Sequence, residues 1–129
     1  MQVLVLVKAT EDSEKGFVPS PWSTSMLEAM GRFNDELRAA GVLLAAAGLT
    51  PSSRGRRIHI DGEARTASHG PFPEPRHLVA GYWLWEVKDM GEAMAWALRC
   101  PNPMPGPSDI ELRPLYGSED LSNDQGSAG

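Results

Sequence analysis

Leu78 to Val87 reads LVAGYWLWEV, a strand with large apolar side chains on both of its faces. Because successive side chains in a strand point to opposite sides, Leu78, Ala80, Tyr82 and Leu84 share one face. Val79, Trp83, Trp85 and Val87 share the other. Gln2 to Lys8 (QVLVLVK) behaves the same way, with Leu4 and Leu6 opposed to Val3, Val5 and Val7. Strands of this kind belong inside a sheet covered on both faces. That requirement limits the fold, because the rest of the chain offers little to cover them with. Ser23 and Ser25 are candidate N-caps for a helix whose stripe is Leu27, Met30, Phe33, Leu37 and Ala40, closed by Gly41 as a C′ residue. Asp89 with Glu92 starts a second helix on a capping-box variant, with a stripe of Met90, Met94, Ala97 and Leu98 and Ala93 beside it; Pro101 ends it. Two helices of this length cover one sheet face. A wet second face would leave an apolar patch larger than monomers usually carry. A second copy of the chain, packed sheet on sheet, is the economical cover, so the sequence predicts a homodimer.

The intervening segments complete an order β-α-β-hairpin-β-α-β. Thr10 to Gly16 reads as a loop by composition. Val42 to Leu49 (VLLAAAGL) is a strand, bounded by Gly41 before it and by Gly48 and Pro51 at its end. Arg56, Ile58 and Ile60 alternate with Arg57, His59 and Asp61, and Asp61-Gly62 is a hairpin turn, with Glu63 to Ser68 as the return arm. Ile110 to Leu115 is a short last strand. Residues 1–116 form one domain, as 129 residues imply, and residues 117–129 (GSEDLSNDQGSAG) are a polar tail expected to be flexible.

Composition removes several classes of function. One cysteine, Cys100, leaves no intrachain disulfide and no multi-cysteine metal cluster. A net charge of −5 argues against a general nucleic-acid binder. The longest apolar run, Val3 to Val7, is too short to span a bilayer, and neither a basic segment before it nor a cleavage site after it suggests a leader; a cytoplasmic protein is expected. No Gly-rich phosphate loop, Ser-centred nucleophile motif or recognisable haem or flavin motif is present, so no cofactor is expected. Histidine spacing on single elements gives no metal site.

Chemistry concentrates in His69 to His77, which reads HGPFPEPRH. Three prolines and a glycine make this an extended loop with few free dihedrals, a good mount for a site. His69 and His77 flank it, and a histidine beside such turns can serve as a general acid or base near neutral pH. Glu74 and Arg76 between them either hold a polar or anionic small molecule or pair with each other and pin the loop. His59, Arg57 and Asp61 lie in a row that is a pocket extension or the wet face of the hairpin. Tyr82, Trp83, Trp85 and Trp96 either line a pocket or fill the core and the dimer contact. Cys100, at a helix C-terminal end, is expected to be buried and inert.

His69-Gly70-Pro71-Phe72-Pro73-Glu74-Pro75-Arg76, Gly81-Tyr82, Asp89, Glu92-Ala93, Trp96-Ala97, Cys100-Pro101 and Glu111-Leu112-Arg113-Pro114 together resemble the YCII-related superfamily. The nearer branch is the one named for its DGPF or DGPFAETKE motif, and Ala39-Ala40-Gly41-Val42-Leu43 and Gly48-Leu49 fit it too. The resemblance runs over about residues 2 to 116. It implies a ferredoxin-like α+β fold, βαββαβ with an added hairpin, that dimerises through its sheets into a dimeric α/β barrel. Two departures bear on chemistry. His69 stands where the motif has Asp, and Arg76-His77 where it has Lys-Glu. The His and Asp proposed as the pair of YCII proteins proper are absent; those regions read Ser23-Thr24-Ser25 and Cys100-Pro101-Asn102.

These features support a homodimer that binds a small polar or anionic molecule beside the HGPFPEPR loop. Glu74, Arg76, Tyr82 and Arg113 are the candidate ligand contacts. The alternatives are a cofactor-independent acid/base enzyme of lyase, isomerase or dehalogenase type, with His69 or His77 as base, and a regulatory protein linked to transcription that uses its acidic tail, Glu119 to Asp124. A small-molecule ligand and a second copy are the expected partners; nucleic acid and membrane are not.

Overall fold

The computed structural model of the protein describes residues 1–121. Its elements are β1 (Gln2–Lys8), α1 (Glu11–Glu14), α2 (Pro21–Ala39), β2 (Leu43–Gly48), β3 (Arg56–Asp61), β4 (Ala64–His69), β5 (Val79–Glu86), α3 (Met90–Ala97) and β6 (Ile110–Pro114). Four strands form an antiparallel sheet in the order β2-β5-β1-β6, and β3 and β4 form a separate two-stranded ribbon. With α2 and α3 as its helices, this mixed α/β arrangement is compatible with the ferredoxin-like fold.

The two central strands sort their side chains as their alternation requires. Val3, Val5 and Val7 lie opposite Trp85, Trp83 and Gly81 and are buried together with Phe33 and Leu37 of α2 and Ala93 of α3. Phe33 meets the rings of Trp83, Trp85 and Trp96 edge-on, with centroids 6.0, 6.3 and 6.3 Å away. Such edge contacts add about 0.5–1.5 kcal/mol each beyond area burial. The Trp83 indole N–H donates to Asn34 Oδ1 at 2.8 Å, whereas the Trp85 N–H is buried without a partner. The aromatic concentration around β5 and α3 is therefore core for Trp83, Trp85 and the half-buried Trp96.

On the other face Leu4 lies opposite Leu84, and Leu6 opposite Tyr82, all half-exposed. Ala45 and Ala47 extend this face on β2, and Glu111 and Arg113 border it on β6, where they pair at 3.3 Å. Both helices lie against the valine and tryptophan side, so this apolar face is open in the single chain.

Several local expectations are corrected. Thr10 to Glu14 is not loop: Thr10 caps a one-turn helix through a reciprocal bond with Ser13, a local polar signal that composition conceals. The N-cap of α2 is Ser20 rather than Ser23 or Ser25. Pro21 takes the first helical position, and Ser23 closes the capping box. Leu27, in the expected stripe, is 52% exposed, while Phe33 and Leu37 carry the burial. In α3, Met90 and Ala97 of the expected stripe pack against the core, but Met94 and Leu98 do not. Ala93 is fully buried at its centre and Trp96 and Cys100 pack beside it, whereas Met94 is 47% exposed and Leu98, the C-cap residue, is 81% exposed. Gly41 does stop α2, at φ 73°, and Gly62 turns the hairpin at φ 59°. Of the tail, Ser118 to Leu121 form a helical turn that includes Glu119 and Asp120; Asp124 and the remainder of the expected flexible segment lie outside the described residues.

Candidate functional site

A concavity of about 540 Å3 opens where β1 ends. Its first wall is Lys8 to Glu11. The Lys8 N–H donates to the Asp109 carbonyl at 3.0 Å and the Ala9 N–H to the Leu78 carbonyl at 3.0 Å, so this turn is tied to both neighbouring chain segments.

The second wall is Glu74 to His77, the end of the proline-rich loop. Glu74 sits at φ 60°, the left-handed region that a residue with a Cβ seldom adopts. Pro75–His77 then make a single 3-10 turn, closed by the His77 N–H on the Glu74 carbonyl at 2.9 Å. This local geometry brings the Glu74 carboxylate onto His77 Nδ1 at 2.7 Å. The expected pinning pair of Glu74 and Arg76 does not form; Glu74 pairs with His77 instead, and Arg76 stays exposed on the pocket wall. A turn of three residues puts the side chain three positions on over the glutamate, whereas that of Arg76 leaves in another direction.

Pro107 to Asp109 form the third wall. Asn102 organises the segment that leads into it. Its carboxamide oxygen accepts from the Met104 N–H at 2.9 Å and the Ser108 hydroxyl at 2.7 Å, and its NH2 donates to the Gly106 carbonyl at 2.9 Å. Met104 is buried below Thr10, whose hydroxyl contacts the sulfur at 3.5 Å. Three prolines and one asparagine thus shape this wall without regular structure.

The loop is held at its other end by Ser52. The Ser52 N–H donates to Glu14 Oε2 at 2.9 Å, its hydroxyl donates to Glu14 Oε1, and its oxygen accepts the Phe72 N–H at 2.9 Å. Gly70, joined to Pro71 by a cis bond, passes so close to Ser52 that an added Cβ would stand 1.7 Å from the Ser52 carbonyl oxygen. The Phe72 ring is covered by the Arg57 guanidinium at 3.8 Å. Residues His59 and Asp61 of the same row are exposed, and β3 and β4 are exposed on both faces.

Of the six residues singled out in the sequence, the pocket gathers Glu74, Arg76 and His77. His69 ends β4 opposite Arg56, in solvent. Tyr82 lies on the open sheet face and Arg113 at its border. Lys8, Thr10, Glu11, Ser108 and Asp109 complete the pocket and were not singled out. Their signal was present in outline, since both the end of an inner strand and a second proline-rich loop are places where polar side chains collect. Cys100 is half-buried beside Pro101, and burial pushes its thiol up to about 11, as expected of an inert cysteine. Among the described residues no group of three or more His, Cys, Asp or Glu side chains is arranged to hold a metal ion, and no helix is long and apolar enough to cross a membrane.

The pattern that defines the YCII-related domain matches residues 1–115. The chain belongs to the YCII-related family. No protein of curated function matches it. Among solved structures, 5-chloro-2-hydroxyhydroquinone dehydrochlorinase from Burkholderia phenoliruptrix, in complex with 2,5-dihydroxybenzoquinone, is similar at 11% sequence identity and a TM-score of 0.48, covering 93% of this chain and 99% of that one. The YCII-related domain thus spans both the proline-rich loop and the Pro107–Asp109 wall, so the whole pocket lies inside it.

Proposed function

We propose that this YCII-related domain works as a homodimer that binds a small polar or anionic molecule in the pocket bounded by Lys8–Glu11, Glu74–His77 and Pro107–Asp109. The observation that carries the reading is the convergence of Arg76, His77 and Lys8 on a concavity whose walls are fixed by prolines and backbone hydrogen bonds. Its volume falls in the ~300–1,000 Å3 range of small-molecule sites. The open face of Leu4, Leu6, Tyr82 and Leu84 supports the second copy, which would cover it sheet on sheet as a dimeric barrel. A small-acid library screened by thermal shift, with hits followed by 1H–15N NMR, is expected to move the amides of Arg76, His77 and Asp109. Hits that leave those amides still, or no hits at all, overturn the reading.

The Glu74–His77 contact favours a second reading, an acid/base enzyme that needs no cofactor. A carboxylate on Nδ1 fixes the imidazole tautomer and leaves Nε2 to take or give a proton. Left-handed backbone at a non-glycine residue costs about 1–2 kcal/mol, and here it serves to aim the carboxylate at the histidine. His77 is then the base and His69 is not. Turnover in a lyase, isomerase or dehalogenase assay should fall in Glu74→Gln and vanish in His77→Ala, with His69→Ala unaffected. Loss on His69→Ala and not on His77→Ala refutes the assignment.

A further inference from the structure

Four charged residues of the pocket have no ionic partner among the described residues. Ion pairs among the described residues join Met1 to Glu86, Lys15 to Asp12, Arg38 to Asp35, Arg99 to Glu36 and Arg113 to Glu111, and the Glu74 carboxylate meets His77. Lys8, Glu11, Arg76 and Asp109 belong to none of them, yet all four line the same concavity. The arrangement is not one of distance in the chain. The Lys8 N–H is bonded to the Asp109 carbonyl across the β1–β6 junction, one step beyond the registered pair Val7 and Ile110, and the two side chains still do not meet. Glu74 shows the contrast on the same wall as Arg76, because its carboxylate is met locally by His77 Nδ1 at 2.7 Å.

Two cations and two carboxylates line the cavity without pairing with one another, with Lys8 and Glu11 on the first wall, Arg76 on the second and Asp109 on the third. A simple anion would satisfy Lys8 and Arg76 while bringing its charge toward Glu11 and Asp109. A simple cation would meet the reverse. A molecule that carries both charges lets each pole find its complement, and like-charge approach is what discriminates against the other two.

We propose that the pocket is a zwitterion site whose ligand is of the α-amino acid class, the carboxylate held by Lys8 and Arg76 and the ammonium by Glu11 and Asp109. This rests on the reading that the pocket binds a small molecule and narrows it from polar or anionic to doubly charged.

The test is an NMR titration of the full chain with the twenty common α-amino acids. For the tightest binder, the two analogues that lack either the amino group or the carboxylate are then titrated. The expected result is a saturable shift of the Lys8, Glu11, Arg76 and Asp109 amides by the amino acid, with each analogue at least tenfold weaker. Lys8→Met should weaken the amino acid at least tenfold. Glu11→Gln with Asp109→Asn should invert the preference, so that the amine-free acid binds at least as well as the amino acid. Dispersed amide spectra certify that both variants fold. If the amine-free acid binds the unaltered chain at the same amides as tightly as the amino acid, the zwitterion inference falls and the small-molecule reading stands. If no amino acid moves these amides while a hit from the small-acid library does, the inference again falls alone. If neither set moves them, both fall.

Discussion

Gly70→Ala tests how the proline-rich loop is held. The new Cβ would stand 1.7 Å from the Ser52 carbonyl oxygen, 2.5 Å from its carbon and 3.2 Å from the Ser53 nitrogen, all of them backbone atoms. Side-chain Cβ atoms essentially never approach closer than 3.0 Å, so the two segments must separate by roughly 1.3 Å, which a close-packed junction does not absorb locally. That displacement takes the Gly70 N–H from the Gly55 carbonyl (3.2 Å) and the Phe72 N–H from the Ser52 hydroxyl (2.9 Å). It also loosens the Arg57 guanidinium from the Phe72 ring. Two hydrogen bonds at about 1 kcal/mol each and an exposed cation–π contact at about 0.5–1 give a loss of about 2–3 kcal/mol. With an unfolding entropy of about 2.1 cal/mol/K per residue, a chain of this length loses about 4 °C of Tm per kcal/mol, hence about 8–12 °C here. Thermal unfolding followed by far-UV circular dichroism reads this directly, and the Phe72 amide shift reports the loop. A Tm within about 2 °C of the parent chain, with the Phe72 amide unmoved, would refute the close-approach reasoning.

Other perturbations probe separate parts of the molecule. Gly31 lies inside α2 with nothing within 4 Å of an added Cβ, so Gly31→Ala should stabilise by about 0.5–1 kcal/mol through backbone entropy, seen as a raised urea midpoint at constant slope. Leu84→Glu puts a charge in the middle of the open sheet face; light scattering should report the 14.0 kDa chain mass in place of twice that value, with circular dichroism unchanged. A parent chain that already scatters as a monomer would end the homodimer proposal. Because the Cys100 thiol is raised by burial from 9.0 to about 11, its contribution to stability is complete below pH 9 and is lost as pH rises towards 11. Ellman's reagent at pH 8 should therefore label it slowly in the folded chain and rapidly in urea, and equal rates would contradict its burial.

Much of the architecture was legible because strands announce themselves by alternation. The two faces of Val3–Val7 and Leu78–Val87, the Asp61-Gly62 turn and the Gly41 stop each follow from rules that act over a few residues, and each stands where the sequence put it. The errors also have local causes. The α3 stripe took in Met94 and Leu98 because they are as apolar as Ala93 and Trp96, and composition does not say which of them turns to the sheet. The α1 turn was concealed because Thr10 and Ser13 look like loop residues until they bond each other.

The candidate site divides along the same line. By itself the sequence determined that a proline-stiffened loop carries Glu74, Arg76 and His77, since proline, charge and order along the chain are local properties. Only the tertiary structure decided that Glu74 answers His77 rather than Arg76, because that depends on one backbone angle and one turn of 3-10 helix. It alone set Lys8, Glu11 and Asp109 across from the loop and sent His69, Tyr82 and Arg113 elsewhere. Residues near 8, 76 and 109 share a pocket because the ends of β1, β5 and β6 lie side by side in an antiparallel sheet, and no local pattern encodes which strand ends become neighbours.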